Sequence, residues 1–287
     1  MSEGIATQAT LVAALARASR AELSAYVLEP GSAVVRALEA AGDRGAHVRV
    51  RLEGNPYAGR AASDDLVARN RAVAAGLAAH GVVVRLTTAD DLPTHLKAAL
   101  VDGTAYLDDR NWPSDGLDTI VATSDSDDVA VVAAALDGTP GSDGHLATEK
   151  LGALAFEARA IERGSGDRVE VESESFGYSK VSHALFARAR RGAHVRLLVS
   201  LREYSESGRT ELASLRRLAN AGVEIRVVAN DEKLCLAGDR GWIGSANATF
   251  EENPMLDWGM ATRDGALLRG ARAAFERNWA LGRRVAF

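Results

Sequence analysis

The sequence has little cysteine, few aromatic residues and no long apolar segment. Cys235 is the only cysteine among 287 residues, which excludes an intrachain disulfide and a zinc site built from cysteines. No run approaches the roughly 18 apolar residues that are needed to cross a bilayer. We therefore expect a soluble, cytoplasmic protein without a transmembrane segment, for which a peripheral membrane contact stays open.

An excess of basic residues is also absent. The chain has 34 Lys and Arg against 39 Asp and Glu, a net charge of −5, which disfavours nucleic-acid binding unless basic residues are concentrated at one site. The sequence contains no Gly-rich phosphate loop ending in Lys-Ser/Thr, no H-E-x-x-H and no G-x-S-x-G. Its 47% hydrophobic and 25% charged residues are typical of a globular protein.

An internal repeat is the most informative feature present. RGAHVR occurs at 44–49 and again at 191–196, and both copies lie in the same order of helix and strand patterns. Strands that alternate with helices of ten or more residues indicate an α/β architecture. The turn-rich segment 137–144 lies between the copies. We therefore predict two tandem α/β repeats, over 1–137 and 145–287.

The repeated hexapeptide itself has a structural explanation. Glycine ends the preceding helix in each copy, and His47 and His194 follow at the start of a strand. We expect both histidines to be half-buried strand residues, so the hexapeptide indicates duplication rather than catalysis.

A polar motif recurs after each repeated unit. The first copy contains His95, Lys97, Asp102 and the run Asp108-Asp109-Arg110-Asn111; the second contains Asp231, Lys233, Gly238 and the run Gly244-Ser245-Ala246-Asn247. The distance from lysine to asparagine is 14 residues in both. In this respect the chain resembles the phospholipase D superfamily, whose mark is H-x-K-x(4)-D followed by G-S-x-N.

These residue types suit a phosphodiester. Residues two apart on a strand point to one face, so an imidazole and an ammonium can meet one substrate. His95 can attack phosphorus, while Lys97, Asn111, Lys233 and Asn247 donate to the phosphate oxygens and Ser245 adds a further donor. Only four of the 34 basic residues are lysines, yet lysine stands at both motif positions, where a compact ammonium fits a phosphate pocket.

The resemblance has further implications. It implies a phosphohistidine on one repeat's histidine, a general acid from the other repeat, and a site between two mixed β-sheets that are flanked by helices and packed as a pseudo-dimer. It implies no metal and no cofactor. Asp118 and Asp257 occupy matching places after the motifs, and Asp118 is our candidate to orient His95. Asp102 is expected to order a turn rather than touch substrate.

The second copy departs from the pattern because Asp231 replaces the histidine. An aspartate beside Lys233 has its ionised form favoured, which lowers its pKa, makes it a poor proton donor and lets it repel a phosphate. Loss of a positioned general acid costs about 10²–10⁴ in rate. His145 stays open as a replacement, and so does a homodimer in which each chain supplies His95 to the other's site.

Three functions follow from these patterns. The leading hypothesis is a phospholipase D-like phosphodiesterase or phosphatidyltransferase, a phosphoric diester hydrolase by class, in a monomer or homodimer. The first alternative is an inactive pseudoenzyme whose phosphate-binding cleft serves as a binding or scaffold module. The second is a nuclease, for which Arg188, Arg190, Arg191 and Arg196 could supply a local basic patch. The sequence does not choose between phospholipid and nucleic acid as the substrate.

Overall fold

The protein is described by a computed structural model. The structure describes residues 3–58, 61–112, 119–200, 202, 204, 208–249 and 254–285. Within these residues the helices are α1 Gln8–Leu15, α2 Ala33–Asp43, α3 Asp64–Ala79, α4 Ser126–Leu136, α5 Lys150–Arg163, α6 Lys180–Arg190, α7 Arg209–Asn220 and α8 Gly265–Leu281.

The strands fall into two series. The first comprises β1 Gly4–Ala6, β2 Arg20–Ala25, β3 His47–Leu52, β4 Tyr57–Ala58, β5 Ala61–Ala62, β6 Val83–Leu86, β7 Ala98–Val101, β8 Thr104–Asp108 and β9 Ile120–Thr123. The second comprises β10 Leu146–Glu149, β11 Arg168–Ser173, β12 His194–Ser200, β13 Glu224–Val228, β14 Leu234–Ala237, β15 Arg240–Gly244, β16 Leu256–Thr262 and β17 Arg283–Arg284.

Each series forms one large mixed sheet. The strand order is β1-β9-β8-β7-β2-β3-β6 in the first sheet and β10-β16-β15-β14-β11-β12-β13-β17 in the second. In both sheets three adjacent strands are parallel, β2-β3-β6 and β11-β12-β13, and the strands on the other side are antiparallel. The helices α2 and α6 connect equivalent parallel strands, which confirms the predicted α/β architecture of two mixed sheets flanked by helices.

Local sequence signals explain why the two halves fold alike. Ser32 and Ser179 cap α2 and α6 at equivalent places, since each hydroxyl accepts from a backbone amide in the first helical turn. Gly45 and Gly192 have φ values of 80° and 89°, a left-handed conformation that favours glycine where each helix gives way to a strand. The repeated hexapeptide therefore encodes a helix end and a strand start.

The histidines of that hexapeptide differ from expectation. His47 and His194 are the first residues of β3 and β12, and both are exposed rather than half-buried. A strand's first residue lies at the rim of the sheet, where its neighbours do not cover it.

The central strand of the second sheet separates two faces. Val169 and Val171 of β11 point into the repeat's own core. Because side chains alternate along a strand, Glu170 and Glu172 point to the opposite face, where Glu172 accepts hydrogen bonds from Asn278 of α8 at 3.1 Å. Polar groups on this strand thus lie on the face that α8 covers.

Three apolar cores hold the molecule together. One belongs to each repeat, and a third combines residues of both, among them Leu96, Leu136, Leu198, Trp258 and Phe275. Burial of one large apolar side chain stabilises a fold by about 1.5–3 kcal/mol, so this third core fixes the two sheets against each other. None of the helices in the described ranges combines the length and apolar character that crossing a membrane requires.

Candidate functional site

The first motif begins in a segment whose backbone is hydrogen-bonded to the second repeat. The amide of His95 donates to the carbonyl of Leu256 at 2.7 Å, and the amide of Leu256 donates to the carbonyl of Pro93 at 2.9 Å. Thr94 and Leu256 form a parallel bridge. The backbone that carries His95 is therefore hydrogen-bonded to the second repeat, and the side chains next to Leu256 lie within its reach.

His95 has a partner at each ring nitrogen. Its Nδ1 lies 3.2 Å from Oδ2 of Asp257, and its Nε2 lies 2.7 Å from Nζ of Lys97. Tyr26 packs edge-on against the ring, with centroids 5.0 Å apart. Since an ammonium only donates, Nε2 carries the lone pair and Nδ1 carries the proton that Asp257 accepts. This tautomer leaves Nε2 as the nucleophilic atom.

Asp257 is held in place by Ser245. Asp257 is 1% exposed, and the hydroxyl of Ser245 donates to its Oδ1. Asp118, for which the sequence suggested the orienting role, lies outside the described residues; its counterpart Asp257 in the second repeat is the carboxylate at His95. Ser245 is fully buried behind Asp257, so it is placed to position that carboxylate rather than to donate to a substrate as we expected.

The environment shifts the pKa of both members of the H-x-K pair. Burial and the neighbouring Lys97 lower the pKa of His95, although Asp257 opposes the shift. Burial, together with the charge of Lys233, lowers the pKa of Lys97 to about 7 against the opposing effect of Asp257. Both shifts favour the uncharged form of the side chain, and Lys97 titrates near neutrality.

The second lysine is engaged by protein oxygens. Lys233 is 1% exposed, and its Nζ donates to the carbonyls of Asp109 at 3.1 Å and Asp231 at 2.8 Å. It also lies 2.9 Å from Oε2 of Glu174. Burial alone would lower the pKa of Lys233, but Glu174 and Asp109 outweigh it and raise the pKa.

Glu174 was not identified from the sequence. It follows β11 and occupies the place that Tyr26 takes after β2, and the carboxyl ends of such central strands are where ligands bind in open α/β sheets. Burial would raise the pKa of Glu174, but the charges of Lys233, His95 and Lys97 outweigh it and lower the pKa. These couplings put its carboxylate among the motif side chains of both repeats, and its position at a strand end was the available signal.

Asn111 and Asn247 make matching backbone contacts. The Oδ1 of Asn111 accepts from the amide of Val27 at 3.4 Å, and the Oδ1 of Asn247 accepts from the amide of Ser175 at 3.2 Å. Asn247 also donates from Nδ2 to Glu174 at 3.3 Å. Each carbonyl oxygen therefore holds the segment after a central strand, so the hydrogen-bond donors that remain on these side chains are their amide NH₂ groups.

Asp231 is partly exposed at the site's edge. Its side chain is 40% exposed, and Oδ2 lies 4.0 Å from a guanidinium nitrogen of Arg202. The same arginine contacts Oε1 of Glu174 at 2.9 Å. The position of the missing histidine thus holds a carboxylate that faces both solvent and an arginine.

The two aspartates of the first motif's tail are buried structural residues. Asp108 accepts from the amides of Arg110 and Trp112 and so closes a tight turn in which Trp112 has φ of 52°. Oδ2 of Asp109 accepts from the amide of Lys233 at 2.9 Å. Burial raises the pKa of Asp109 well above its ordinary value, and Glu232 adds to the shift.

Asp102 lies in the turn between β7 and β8. Its carboxylate accepts from the amides of Ser19 and Arg20 at 3.1 Å and 2.9 Å, where β2 begins. The second repeat has Gly238 at the matching place, and the next residue, Asp239, accepts from the amide of Ser165 at 3.0 Å. The second repeat therefore also has an aspartate in this turn, one residue later than in the first repeat.

His145 makes its contacts with residues outside the network around His95. Its ring nitrogens face Glu3, Asp128 and Asp143, at 3.2 Å, 3.2 Å and 3.1 Å. None of these residues contacts His95, Lys97 or Lys233 in the described part of the chain.

Comparisons with known proteins agree on the type of domain. A family model described as "Cardiolipin synthase, PLD-like domain" matches residues 159–279. Phosphatidylserine synthase from Haemophilus influenzae Rd KW20 superposes with a TM-score of 0.67 and 12% identity, over 99% of this chain and 87% of the other. Polyphosphate kinase from Porphyromonas gingivalis superposes with a TM-score of 0.65 and 17% identity, over 97% of this chain and 50% of the other.

The limits of these likenesses are also informative. This chain spans half the length of the polyphosphate kinase. The phospholipase D family member Nuc from Salmonella typhimurium has 19% identity and a TM-score of 0.43, over 52% of this chain and 99% of the other. No curated protein matches the sequence.

Proposed function

We propose that this chain, whose motifs resemble those of the phospholipase D superfamily and whose residues 159–279 match a PLD-like family model, cleaves or transfers a phosphodiester through a phosphohistidine on His95. The observation that carries the proposal is the state of the imidazole. Nδ1 keeps its proton and donates it in a hydrogen bond to Asp257, and the Nε2 lone pair is directed at the ammonium of Lys97. A phosphate oxygen that binds Lys97 brings its phosphorus next to this lone pair.

The reaction then proceeds in two displacements. Nε2 attacks phosphorus, an N–P bond forms, and the bond from phosphorus to the leaving oxygen breaks. Asp257 stabilises the imidazolium that His95 becomes. The oxygen of water or of an alcohol then attacks phosphorus, the N–P bond breaks, and the proton of the attacking group passes to solvent. The phosphoryl product leaves and neutral His95 is restored, so the same site supports hydrolysis and transfer. Lys97 and the amide groups of Asn111 and Asn247 stabilise the charge on the non-bridging oxygens.

The leaving group determines how fast this site works. The superfamily pattern has a second histidine where this chain has Asp231, so the imidazole that would act as the general acid is absent from this position. Water then protonates the leaving oxygen. Loss of a positioned acid costs about 10²–10⁴ in rate, so an aryl oxide leaves readily and a natural alkoxide leaves slowly.

For the substrate, we propose a phospholipid diester. The description of the matching family model names a cardiolipin synthase, and the H. influenzae neighbour is a phosphatidylserine synthase. The basic patch that a nuclease would use is reduced in the structure: Arg196 is 7% exposed and pairs with Glu170 and Glu276, and Arg188 donates to the carbonyls of Gly164 and Gly166.

A second candidate is a module that binds anions without turnover. The ion pair between Glu174 and Lys233 favours it, because a carboxylate already neutralises one of the two lysines. This protein would bind phosphate through the Lys97 half of the site, and the fold would serve as a scaffold.

One experiment separates these candidates. Bis(p-nitrophenyl) phosphate is incubated with the wild type, with His95→Asn, and with His80→Ala as a control, because His80 pairs with Asp43 on the exposed surface. We expect nitrophenol release from the wild type and the control only, and acid-quench trapping of a phosphohistidine that His95→Asn lacks. Phosphatidylcholine vesicles and single-stranded DNA are offered in parallel to choose the substrate.

The outcomes have distinct meanings. Equal release by the wild type and His95→Asn would refute the proposed enzyme at this site. Phosphate binding without release would leave the anion-binding module, and multiple turnover would exclude it. Cleavage of DNA but not of vesicles would overturn the lipid assignment.

A further inference from the structure

Three side chains outside the phosphodiester site converge on one point. Nε2 of His145 lies 3.2 Å from Oε1 of Glu3 and 3.2 Å from Oδ1 of Asp128. The three ligand atoms all lie within 4.8 Å of one another. They come from the segment before β1, from α4 and from the segment before β10, so the point joins both repeats.

The atoms that face this point lack hydrogen-bond partners. Asp128 is fully buried, and its Oδ2 accepts from the hydroxyl of Thr123 at 2.8 Å, whereas its Oδ1 has no partner. Nε2 of His145 also has none. The carboxyl of Asp128 also interacts by a hydrogen bond with that of Asp143. Its buried Oδ1 lies 3.2 Å from Nε2 of His145 without a hydrogen bond to it, which is costly and points to a cation at this position.

The imidazole of His145 is oriented by a carboxylate at its second ring nitrogen. Nδ1 of His145 lies 3.1 Å from Oδ1 of Asp143, and that carboxylate is itself fixed by the amides of His145 and Leu146 at 3.0 Å and 2.9 Å. When Nδ1 donates its proton to Asp143, the Nε2 lone pair points at the two carboxylate oxygens. A carboxylate behind a histidine is the usual arrangement at protein metal sites.

We propose that Glu3, Asp128 and His145 bind a divalent transition-metal ion of the zinc class. Zinc takes oxygen and nitrogen ligands at about 2.0–2.2 Å, which puts neighbouring ligands of a tetrahedron about 3.4 Å apart. The two separations of 3.2 Å from Nε2 to the carboxylate oxygens are close to that spacing, and the two oxygens lie within 4.8 Å of each other. The imidazole selects against Mg²⁺ and Ca²⁺, which prefer oxygen ligands alone.

The ion has a route to the site and a structural consequence. Glu3 and His145 line a surface cavity of about 660 Å³ that gives access to the open fourth position. The bound ion links β1 and α4 of the first repeat to the start of the second. It therefore fastens the two repeats together on the side formed by β1, α4 and β10, and it shares no ligand with the His95 network.

The competing explanation is a protonated His145 that forms ion pairs with the three carboxylates. Metal binding separates the two. The untagged full chain is stripped with EDTA, dialysed and titrated with Zn²⁺ by calorimetry, with bound metal counted by mass spectrometry. We expect one equivalent per chain and a Tm increase of roughly 5–10 °C at about a hundred-fold excess over Kd. Mg²⁺ at the same concentration leaves Tm unchanged.

Variants identify the ligands. His145→Ala and Asp128→Asn are each expected to weaken Zn²⁺ binding at least about 100-fold, and His80→Ala, which removes an exposed histidine beside Asp43, leaves it unchanged. Circular dichroism of each variant shows that it is folded. Absence of binding at about 100 µM Zn²⁺ would overturn the proposal. Binding by His145→Ala equal to the wild type would do so as well, because it would place the metal elsewhere.

Discussion

Glu174 is a carboxylate in a site proposed to bind an anion, so its removal is expected to strengthen anion binding. Its Oε2 lies 2.9 Å from Nζ of Lys233, and its Oε1 contacts Arg202 at 2.9 Å. With a side chain only 17% exposed, it is poorly screened by solvent. The variant Glu174→Gln keeps the shape of the side chain and removes the charge.

The magnitude follows from the geometry. A phosphate oxygen that binds the same ammonium would lie about 4–5 Å from Oε2, because each acceptor sits about 2.8 Å from the nitrogen. Two like charges at about 4 Å repel by about 4 kcal/mol at an effective dielectric constant of 20. Arg202 and Lys97 offset part of this repulsion. We therefore expect phosphate to bind about 10–100-fold more tightly, which corresponds to about 1.4–2.8 kcal/mol.

The assay is calorimetric titration of the wild type and Glu174→Gln with inorganic phosphate at fixed pH and ionic strength. Glu224→Gln is the matched control, because Glu224 also pairs with arginines but lies on β13 near Arg226 and Arg284. We expect the control to match the wild type. Equal or weaker phosphate binding by Glu174→Gln would refute the idea that Glu174 competes with the anion for Lys233.

Three further predictions test the site and its surroundings. Asp257→Asn should lower kcat on the aryl diester about 10²–10⁴-fold with little change in KM. The reason is that the new amide would donate to Nδ1 and move the proton of His95 onto Nε2. A changed KM with an unchanged kcat would contradict the positioning role. Burial lowers the pKa of Lys97 to about 7, so activity should fall as pH rises through 7. Lys97→Arg should move this basic limb of the pH–activity profile to higher pH, because arginine stays charged. Superimposable pH profiles of the two proteins would exclude Lys97 as the titrating group. Burial raises the pKa of Glu172 well above its usual 4.5, so its contribution to stability is lost as pH rises through the folded value. Glu172→Gln should therefore exceed the wild type in unfolding free energy by an amount that grows as pH rises above the usual carboxyl pKa in urea titrations, and a constant difference would contradict this account.

Much of the fold was predictable because the duplication doubles each signal. Ser32 and Ser179 cap equivalent helices, and the same glycine turn recurs after each, so the strand and helix order could be inferred twice from independent residues. The motif lysines and asparagines were identified in the same way. These features depend on local sequence, which periodicity and turn chemistry express directly.

The partners across the two repeats were not predictable in the same way. Asp257 contacts His95 because β16 lies beside the segment that carries this histidine, and a single sequence does not encode that register locally. Glu174 escaped notice because a glutamate at a strand end resembles an ordinary exposed residue. The burial of Ser245, which we expected to donate to a substrate, was not predictable for a related reason, since it depends on how Trp258 and Asp257 pack around it.

The contact between His95 and Asp257 has a consequence for how this chain can evolve. Duplication usually provides redundancy, because a second copy can lose a function that the first retains. Here the two copies have become interdependent: the first supplies the imidazole, and the second supplies the carboxylate that orients it. Under the proposed mechanism, a substitution of either residue would impair the same nucleophile, so neither repeat could replace the other.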